Sequence, residues 1–124
     1  MSLALKDKKR AIGFSFAWNG LREAAKLEKN FRIHLIFTVI VIIAGFVFEL
    51  TRLEWAVIML VIGFVLVAEL INTVIEKMID YVKPEMHPTA KLIKDYAAGA
   101  VLITAITAVL VGVIIFIPKL YILF

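Results

Sequence analysis

The residues best suited to chemistry lie in one stretch of otherwise apolar sequence, residues 68–80 (AELINTVIEKMID). An α-helix turns by about 100° per residue, so the polar members of this stretch fall within roughly 100° of arc on one face. Those members are Glu69, Asn72, Thr73, Glu76 and Asp80. A carboxylate inside a membrane helix is costly, and by default it faces protein or water and marks a functional site. The spacing therefore predicts a functional polar face on a membrane helix.

The chemistry that these residue types suit is the binding of a hard cation together with phosphates. Mg²⁺ accepts one or two protein carboxylates plus nucleotide oxygens, and Glu28 adds a further candidate carboxylate. Lys94 could neutralise phosphate as a point charge. Glu69 is the natural general base, because an apolar environment makes a carboxylate a better proton acceptor. The sequence has neither a Walker loop nor a protein-kinase glycine loop, so any phosphoryl transfer must use a different scaffold.

The residues by themselves leave three functions open. The first is a lipid phosphotransferase, which needs a metal, a lysine and a base in position. The second is a proton- or ion-coupled transporter that uses Glu69 as its ion site. The third is a purely structural helix bundle.

Composition indicates an integral membrane protein. Hydrophobic residues make up 63% of the 124 residues and charged residues only 19%, which is too apolar for a soluble domain of this size. We expect one helical domain over residues 1–124. The chain has no cysteine, which excludes disulfides, thiolate metal sites and cysteine nucleophiles. The net charge of +4 does not indicate a nucleic-acid partner, because in a membrane protein the placement of the basic residues is what matters.

The elements that must position the polar face are four helices. Residues from about 7 to 27 mix apolar and basic side chains, which is typical of an amphipathic helix lying in the headgroup region of the membrane. Three apolar blocks follow, at about residues 31–49, 53–82 and 89–117, each long enough to span a bilayer. The third block is expected to close at Pro118, because proline cannot continue a helix.

The basic residues predict the orientation of these spans. All 14 lysine and arginine residues except Arg52 and Lys119 lie before the first span or around the connection between the second and third spans. The positive-inside rule therefore puts the amino terminus and that connection in the cytoplasm. We expect a multi-pass protein of the cell membrane whose polar face opens toward cytoplasmic ATP.

The polar stretch resembles a known family when it is read with its flanking sequence. AELINTVIEKMID is followed by HPTAKLIKDYAAGAV and preceded by WNGLREAAKLEKNFRIH. The combination is similar to the small prokaryotic diacylglycerol kinases and undecaprenol kinases, and the similarity covers nearly the whole chain. The resemblance implies an all-α membrane protein with an amino-terminal surface helix and three transmembrane helices. It also implies a homotrimer whose active sites are built across subunits.

The resemblance assigns roles to individual residues. Glu69 corresponds to the catalytic base and Asn72 to a residue that supports the reacting groups, while Glu28 and Glu76 correspond to the carboxylates that bind Mg²⁺. The nucleotide-contacting positions, with ATP as phosphoryl donor, are Arg10, Phe16, Glu28, Glu76, Asp80, Glu85, His87, Lys94 and Asp95. The positions that contact the lipid alcohol are Arg22, Phe31, Arg32, His34, Glu69 and Ala98.

The substrate is predicted from finer features of the same resemblance. The segments GVIIFIPKL, FRIH and HPTAK are more similar to the Gram-positive undecaprenol kinases than to the enterobacterial diacylglycerol kinases, so we expect a polyprenol. Diacylglycerol is the alternative, since the same base and metal serve either alcohol. Phe16 stands where better-known diacylglycerol kinases have a tyrosine, so a hydroxyl contact to nucleotide is missing at this position.

Overall fold

The computed structural model describes residues 3–82 and 87–124, and the side chains of residues 13–82 and 87–124. Within these residues the chain forms four helices, α1 (Leu3–Leu27), α2 (Lys29–Val47), α3 (Arg52–Val82) and α4 (Pro88–Leu123). The last three are long and apolar enough to cross a membrane. The predicted all-α architecture, an amino-terminal helix followed by three apolar spans, is confirmed.

A single residue, Glu28, separates α1 from α2. Its backbone is extended, with φ −107° and ψ 110°, so the chain bends at this point. Arg32, one turn into α2, donates hydrogen bonds from Nη1 to the carbonyl oxygens of Ala25 at 3.2 Å and Lys26 at 2.6 Å. These are two of the carbonyls that the end of α1 leaves without helical partners. Arg32 therefore fixes the corner between the two helices, and Glu28 lies at that corner.

The turn from α2 to α3 begins with a hydrogen-bonded helix end. The Leu50 N–H donates to the carbonyl of Gly45 at 3.1 Å, and the Glu49 N–H donates to that of Phe46 at 3.4 Å. This is the pattern of a Schellman motif, in which the residue after the cap adopts a left-handed conformation. Here that residue is Glu49, with φ 54°. A glycine would suit the position better, so the turn carries a local backbone cost.

The same turn starts α3 with a reciprocal cap. The Glu54 N–H donates to Oγ1 of Thr51 at 3.2 Å, and the Thr51 N–H donates to Oε1 of Glu54 at 2.9 Å, which is a capping box. Glu54 also forms an ion pair with Lys119 of α4 at 3.0 Å. One carboxylate therefore starts α3 and joins it to the end of α4.

The apolar core lies at this end of the molecule. Leu50, Ile58 and Ile115 are buried together, with Trp55 and Phe116 packed against them. A methyl group added at Gly45 would lie 2.5 Å from the Trp55 ring, so only glycine allows α2 to approach Trp55 this closely. Beyond this cluster, α3 packs mainly against α4, and α1 packs against α2.

The last helix extends further than the sequence indicated. Pro118 was expected to end it, but α4 continues through Pro118 to Leu123. Proline lacks the N–H that would bond to the carbonyl four residues earlier, so it removes one helical hydrogen bond. The φ angle of proline is itself compatible with a helix, and Lys119 is held by Glu54 on α3.

The left-handed Glu49 gives a testable prediction. We expect Glu49→Gly to raise the thermal unfolding midpoint in detergent, because a left-handed conformation costs a residue with a side chain about 1 kcal/mol that glycine does not bear. Glu49→Ala is the matched control, since it removes the carboxylate but keeps the Cβ. An alanine variant that is as stable as the glycine variant would show that the side chain, and not the backbone, is responsible.

Candidate active site

The polar face of α3 runs from a buried to an exposed environment. Glu69 is 4% exposed and Asn72 is 7% exposed, and they are the buried polar residues of the part of the chain whose side chains are described. Glu76, further along the helix, is half-buried, and Asp80 is exposed. The face therefore connects an apolar interior to solvent near the end of the helix.

The buried carboxylate of Glu69 is approached by one histidine. His34 of α2 places Nε2 3.6 Å from Oε2 of Glu69, and its own side chain is 22% exposed. The carboxylates of Glu28 and Glu76 are close enough to interact electrostatically with Glu69. Glu69 therefore lies among groups from α2, α3 and the α1–α2 corner.

Asn72 links the buried and exposed parts of the face. Its Nδ2 donates a hydrogen bond to Oε1 of Glu76 at 3.1 Å, which orients that carboxylate. Its Oδ1 is buried and has no hydrogen-bond partner among the described residues. A buried acceptor without a donor costs about 1–3 kcal/mol, and such groups in native proteins call for a specific explanation. The Asn72 oxygen is thus suited to receive a donor from a bound molecule.

The exposed end of the face is crossed by ion pairs between helices. Lys94 of α4 binds Asp80 of α3, and Lys77 of α3 binds Glu28 at the α1–α2 corner at 3.3 Å. Within α4, Lys91 binds Asp95 at 2.7 Å. The structure thus brings Glu28, Glu76, Asp80 and Lys94 to one end of the helices.

The sequence missed two of these partnerships. Lys77 follows Glu76 directly and lies off the polar face of α3, so only the fold brings it to Glu28. His34 was expected to contact lipid, but nothing in its spacing along α2 indicated contact with Glu69. For both contacts, the sequence feature that could have indicated them was an ionisable side chain beside an apolar span.

The remaining residues expected to contact nucleotide include His87, Phe16, Arg10 and Glu85. His87 precedes α4 and its Nδ1 accepts a hydrogen bond from the Thr89 N–H at 3.1 Å, so it caps that helix. Phe16 on α1 is exposed. The Arg10 side chain and Glu85 lie outside the described residues.

The structure places the other expected lipid residues in different environments. Phe31 is only 3% exposed, so it packs inside the protein. Arg32 is used to cap α1. Arg22 on α1 and Ala98 on α4 are exposed.

An apolar cavity lies beside His34, the residue that contacts Glu69. Its volume is about 380 Å³, and its walls come from α2, α3 and α4. His34 and Thr38 are the lining residues with polar side chains, and the remainder includes Val41, Ile58 and Phe116. Pockets of this size, with few polar groups at one end, are typical of sites for apolar ligands. Because His34 contacts Glu69, one end of the cavity meets the polar face.

The carboxylates at the exposed end of the polar face suit a cation only when a bound ligand supplies further oxygen atoms. Among the side chains that the structure describes, no three histidine or acidic groups lie close enough to hold a metal by themselves. Mg²⁺ needs only one or two carboxylates when phosphate oxygens complete its shell, so Glu28 and Glu76 remain the predicted ligands.

Comparison with known proteins identifies the family. The model of the family described as prokaryotic diacylglycerol kinase matches residues 15–116. The undecaprenol kinase of Bacillus subtilis is 43% identical over 107 residues, covering 86% of this chain and 87% of that protein. The diacylglycerol kinase of Synechocystis is 41% identical over 110 residues, covering 88% of this chain and 63% of that protein.

A third relative extends the match to another bacterial group. The diacylglycerol kinase of Pseudomonas aeruginosa is 35% identical over 105 residues, covering 83% of this chain and 84% of that protein. The resemblance read from the polar stretch is therefore confirmed over most of the chain. The chain belongs to the prokaryotic diacylglycerol kinase family, a family of lipid kinases.

Proposed function

We propose that this protein transfers the γ-phosphate of ATP to the hydroxyl group of undecaprenol, producing undecaprenyl phosphate. The observation that carries the proposal is the position of Glu69, a buried carboxylate on the polar face of α3 whose contact, His34, lines an apolar cavity. A lipid alcohol needs both an apolar cavity and a polar face, because its chain is apolar and its hydroxyl group must reach the γ-phosphate of ATP. The 43% identity to an undecaprenol kinase favours the polyprenol.

Glu69 is proposed to act as the general base. It would accept the hydroxyl proton as the alcohol oxygen attacks the γ-phosphorus, so that the alkoxide never forms free in solution. Burial suits this role, since water that could compete for the proton or for the phosphoryl group is excluded. The apolar cavity beside His34 would hold part of the lipid chain and bring the hydroxyl to this carboxylate.

Asn72 is proposed to orient both sides of the reaction. Its amide nitrogen holds the Glu76 carboxylate at 3.1 Å. Its free Oδ1 can accept a hydrogen bond from the incoming hydroxyl before Glu69 takes the proton. Asn72 would thus couple the lipid alcohol to the carboxylate that binds the nucleotide.

The nucleotide is proposed to bind at the exposed end of the face. Glu28 and Glu76 would hold Mg²⁺ together with phosphate oxygens, and the ion would neutralise charge on the transferred group. Lys94 would leave Asp80 to contact phosphate, and Asp95 would lie near the same nucleotide. Exposed ion pairs contribute little stability, so exchange of partners at Lys94 and Lys77 is energetically accessible.

Diacylglycerol is the alternative acceptor. Two of the relatives described above are diacylglycerol kinases, and a primary hydroxyl on an apolar chain meets the same base in either case. A transporter that uses Glu69 as an ion site has no such support, because the family is one of lipid kinases.

The site is further proposed to open to the cytoplasm and to be completed by two further copies of the chain. The distribution of lysine and arginine supports the first point. The second follows from the family resemblance and from the exposed position of Asp95 and Ala98, which leaves them available to a neighbour. The mass of the protein in detergent should then be that of three chains.

The direct test is a kinase assay with two lipids. Purified protein in lipid vesicles is incubated with γ-labelled ATP and either undecaprenol or diacylglycerol. We expect labelled undecaprenyl phosphate to dominate and the activity to disappear when Mg²⁺ is chelated. Preferential labelling of diacylglycerol would replace the polyprenol with the alternative, and no labelled product from either lipid would end the kinase proposal.

Removal of the base tests the role of Glu69. We expect Glu69→Gln to lower kcat by roughly 10²–10⁴-fold, the usual contribution of a general base, while ATP still binds, because the amide keeps the shape of the side chain. Glu23→Gln, an exposed change on α1, is the control. Loss of ATP binding in Glu69→Gln would assign this carboxylate to the nucleotide instead.

The orientation is tested with single cysteines, since the chain has none of its own. Lys26→Cys on α1 and Arg52→Cys at the start of α3 are both exposed and remove one positive charge each. We expect a membrane-impermeant maleimide to label Arg52→Cys in intact cells and Lys26→Cys only after lysis. The reverse pattern would place the site outside.

A further inference from the structure

The contact between His34 and Glu69 suggests a role for His34 in addition to the proposed role of Glu69 as the base. Glu69 is almost fully buried, whereas the His34 side chain keeps 22% of its surface accessible. The two side chains come from different helices and approach to 3.6 Å through Nε2 and Oε2. The buried carboxylate is therefore joined to a partly accessible side chain that lies little more than one turn from the start of α2 at Lys29.

A buried base must lose its proton before it can act again. After one turnover the alcohol proton would reside on the Glu69 carboxyl group, which has little contact with water. Asn72, the other buried polar residue, cannot accept this proton, because an amide is not basic near neutral pH and its N–H₂ group already bonds to Glu76. The neighbouring group with a basic nitrogen and partial exposure is His34.

We propose that His34 is a positioning residue that holds the Glu69 carboxylate and receives its proton in each turnover. The inference rests on the proposed function, because it requires Glu69 to be the base. In the first step the alcohol O–H bond breaks as the Glu69 O–H bond forms, and the bond from γ-phosphorus to ADP breaks as the bond to the alcohol oxygen forms. In the second step the proton moves from Glu69 to Nε2 of His34. The imidazolium then releases it to water.

The charges around the pair are consistent with this route. Glu69 contacts His34 from α3, while Glu76 of the same helix and Glu28 at the α1–α2 corner interact electrostatically with Glu69. The residues of α4 that line the cavity beside His34, such as Ala105 and Ala108, are apolar. The imidazolium would form beside the Glu69 carboxylate that has just lost the proton, so the two opposite charges would lie next to each other, with Nε2 and Oε2 3.6 Å apart.

The competing role for His34 is the lipid contact that the family resemblance implies, and the two roles make different predictions. A lipid contact changes KM for the alcohol, whereas a proton acceptor changes kcat and its pH dependence. Thr38, one turn further along α2, offers a matched control. It lines the same cavity, its hydroxyl donates to the His34 carbonyl at 2.8 Å, and it cannot titrate in this range.

The experiment compares His34→Gln, His34→Ala and Thr38→Val with the unmodified chain, in vesicles with undecaprenol and ATP. We expect both His34 variants to lose at least about tenfold in kcat with little change in KM for the lipid. In the unmodified chain kcat should fall as the pH is lowered, because a protonated imidazole cannot accept the proton of Glu69, and in His34→Gln this acidic limb of the profile should change. Added imidazole should restore part of the activity of His34→Ala and leave Thr38→Val unaffected.

The possible outcomes distinguish a failure of the role inferred for His34 from a failure of the proposed function. Absence of lipid phosphorylation by the unmodified chain would overturn the proposed function. An active chain whose His34→Gln variant changes only KM, retains the acidic limb and gains no activity from imidazole in the His34→Ala background would overturn the role of His34 alone. His34→Gln keeps a polar side chain of similar reach, so a folding defect confined to His34→Ala would leave the pH profile of His34→Gln as the deciding measurement.

Discussion

The interaction on which the rest of this structure depends is that of a buried carboxylate with its neighbours. Glu69 lies in an apolar helix, where a charged group costs several kcal/mol unless protein or water compensates. In this protein the compensating groups are a histidine from α2 and a polar face on α3 that leads to solvent through Asn72 and Glu76. A helix that had only to span the membrane would need none of these groups. Their presence is the structural basis for proposing that α3 has a catalytic role.

The two ends of the helices are built by different means. At the α2–α3 turn, a Schellman motif, a capping box and the Glu54–Lys119 pair act together with the buried cluster around Leu50, Ile58 and Ile115. Backbone hydrogen bonds and close packing make that end rigid. At the other end, Lys94–Asp80 and Lys77–Glu28 are ion pairs with exposed members, which contribute little to stability. A site that exchanges nucleotide at each turnover benefits from groups that can change partners while the opposite end holds the helices together.

The arrangement also accounts for phosphoryl transfer without a glycine-rich loop. That reaction requires mainly positioning and neutralisation of charge. Soluble nucleotide-binding folds supply these with backbone N–H groups, but the backbone of a membrane helix is already fully bonded to itself. Side chains must therefore supply them, and this chain has carboxylates and lysines near the ends of its spans. In the proposed reaction, the buried Glu69 would meet the apolar alcohol and the half-buried Glu76 would meet the charged phosphoryl donor.

The sequence by itself determined the number of spans, the polar face of α3 and the family, because hydropathy, helical period and motif spacing are local properties of the chain. It also pointed to Glu69, Asn72 and Glu76 as members of one face. Only the tertiary structure decided that His34 reaches Glu69, that Lys77 binds Glu28, that Arg32 caps α1 and that Phe31 is buried. Each of these depends on how one helix is rotated and displaced against another, and a period of 3.6 residues says which side chains share a face but not what that face meets. The passage of α4 through Pro118 was likewise visible only in the tertiary structure, where Lys119 pairs with Glu54 of α3.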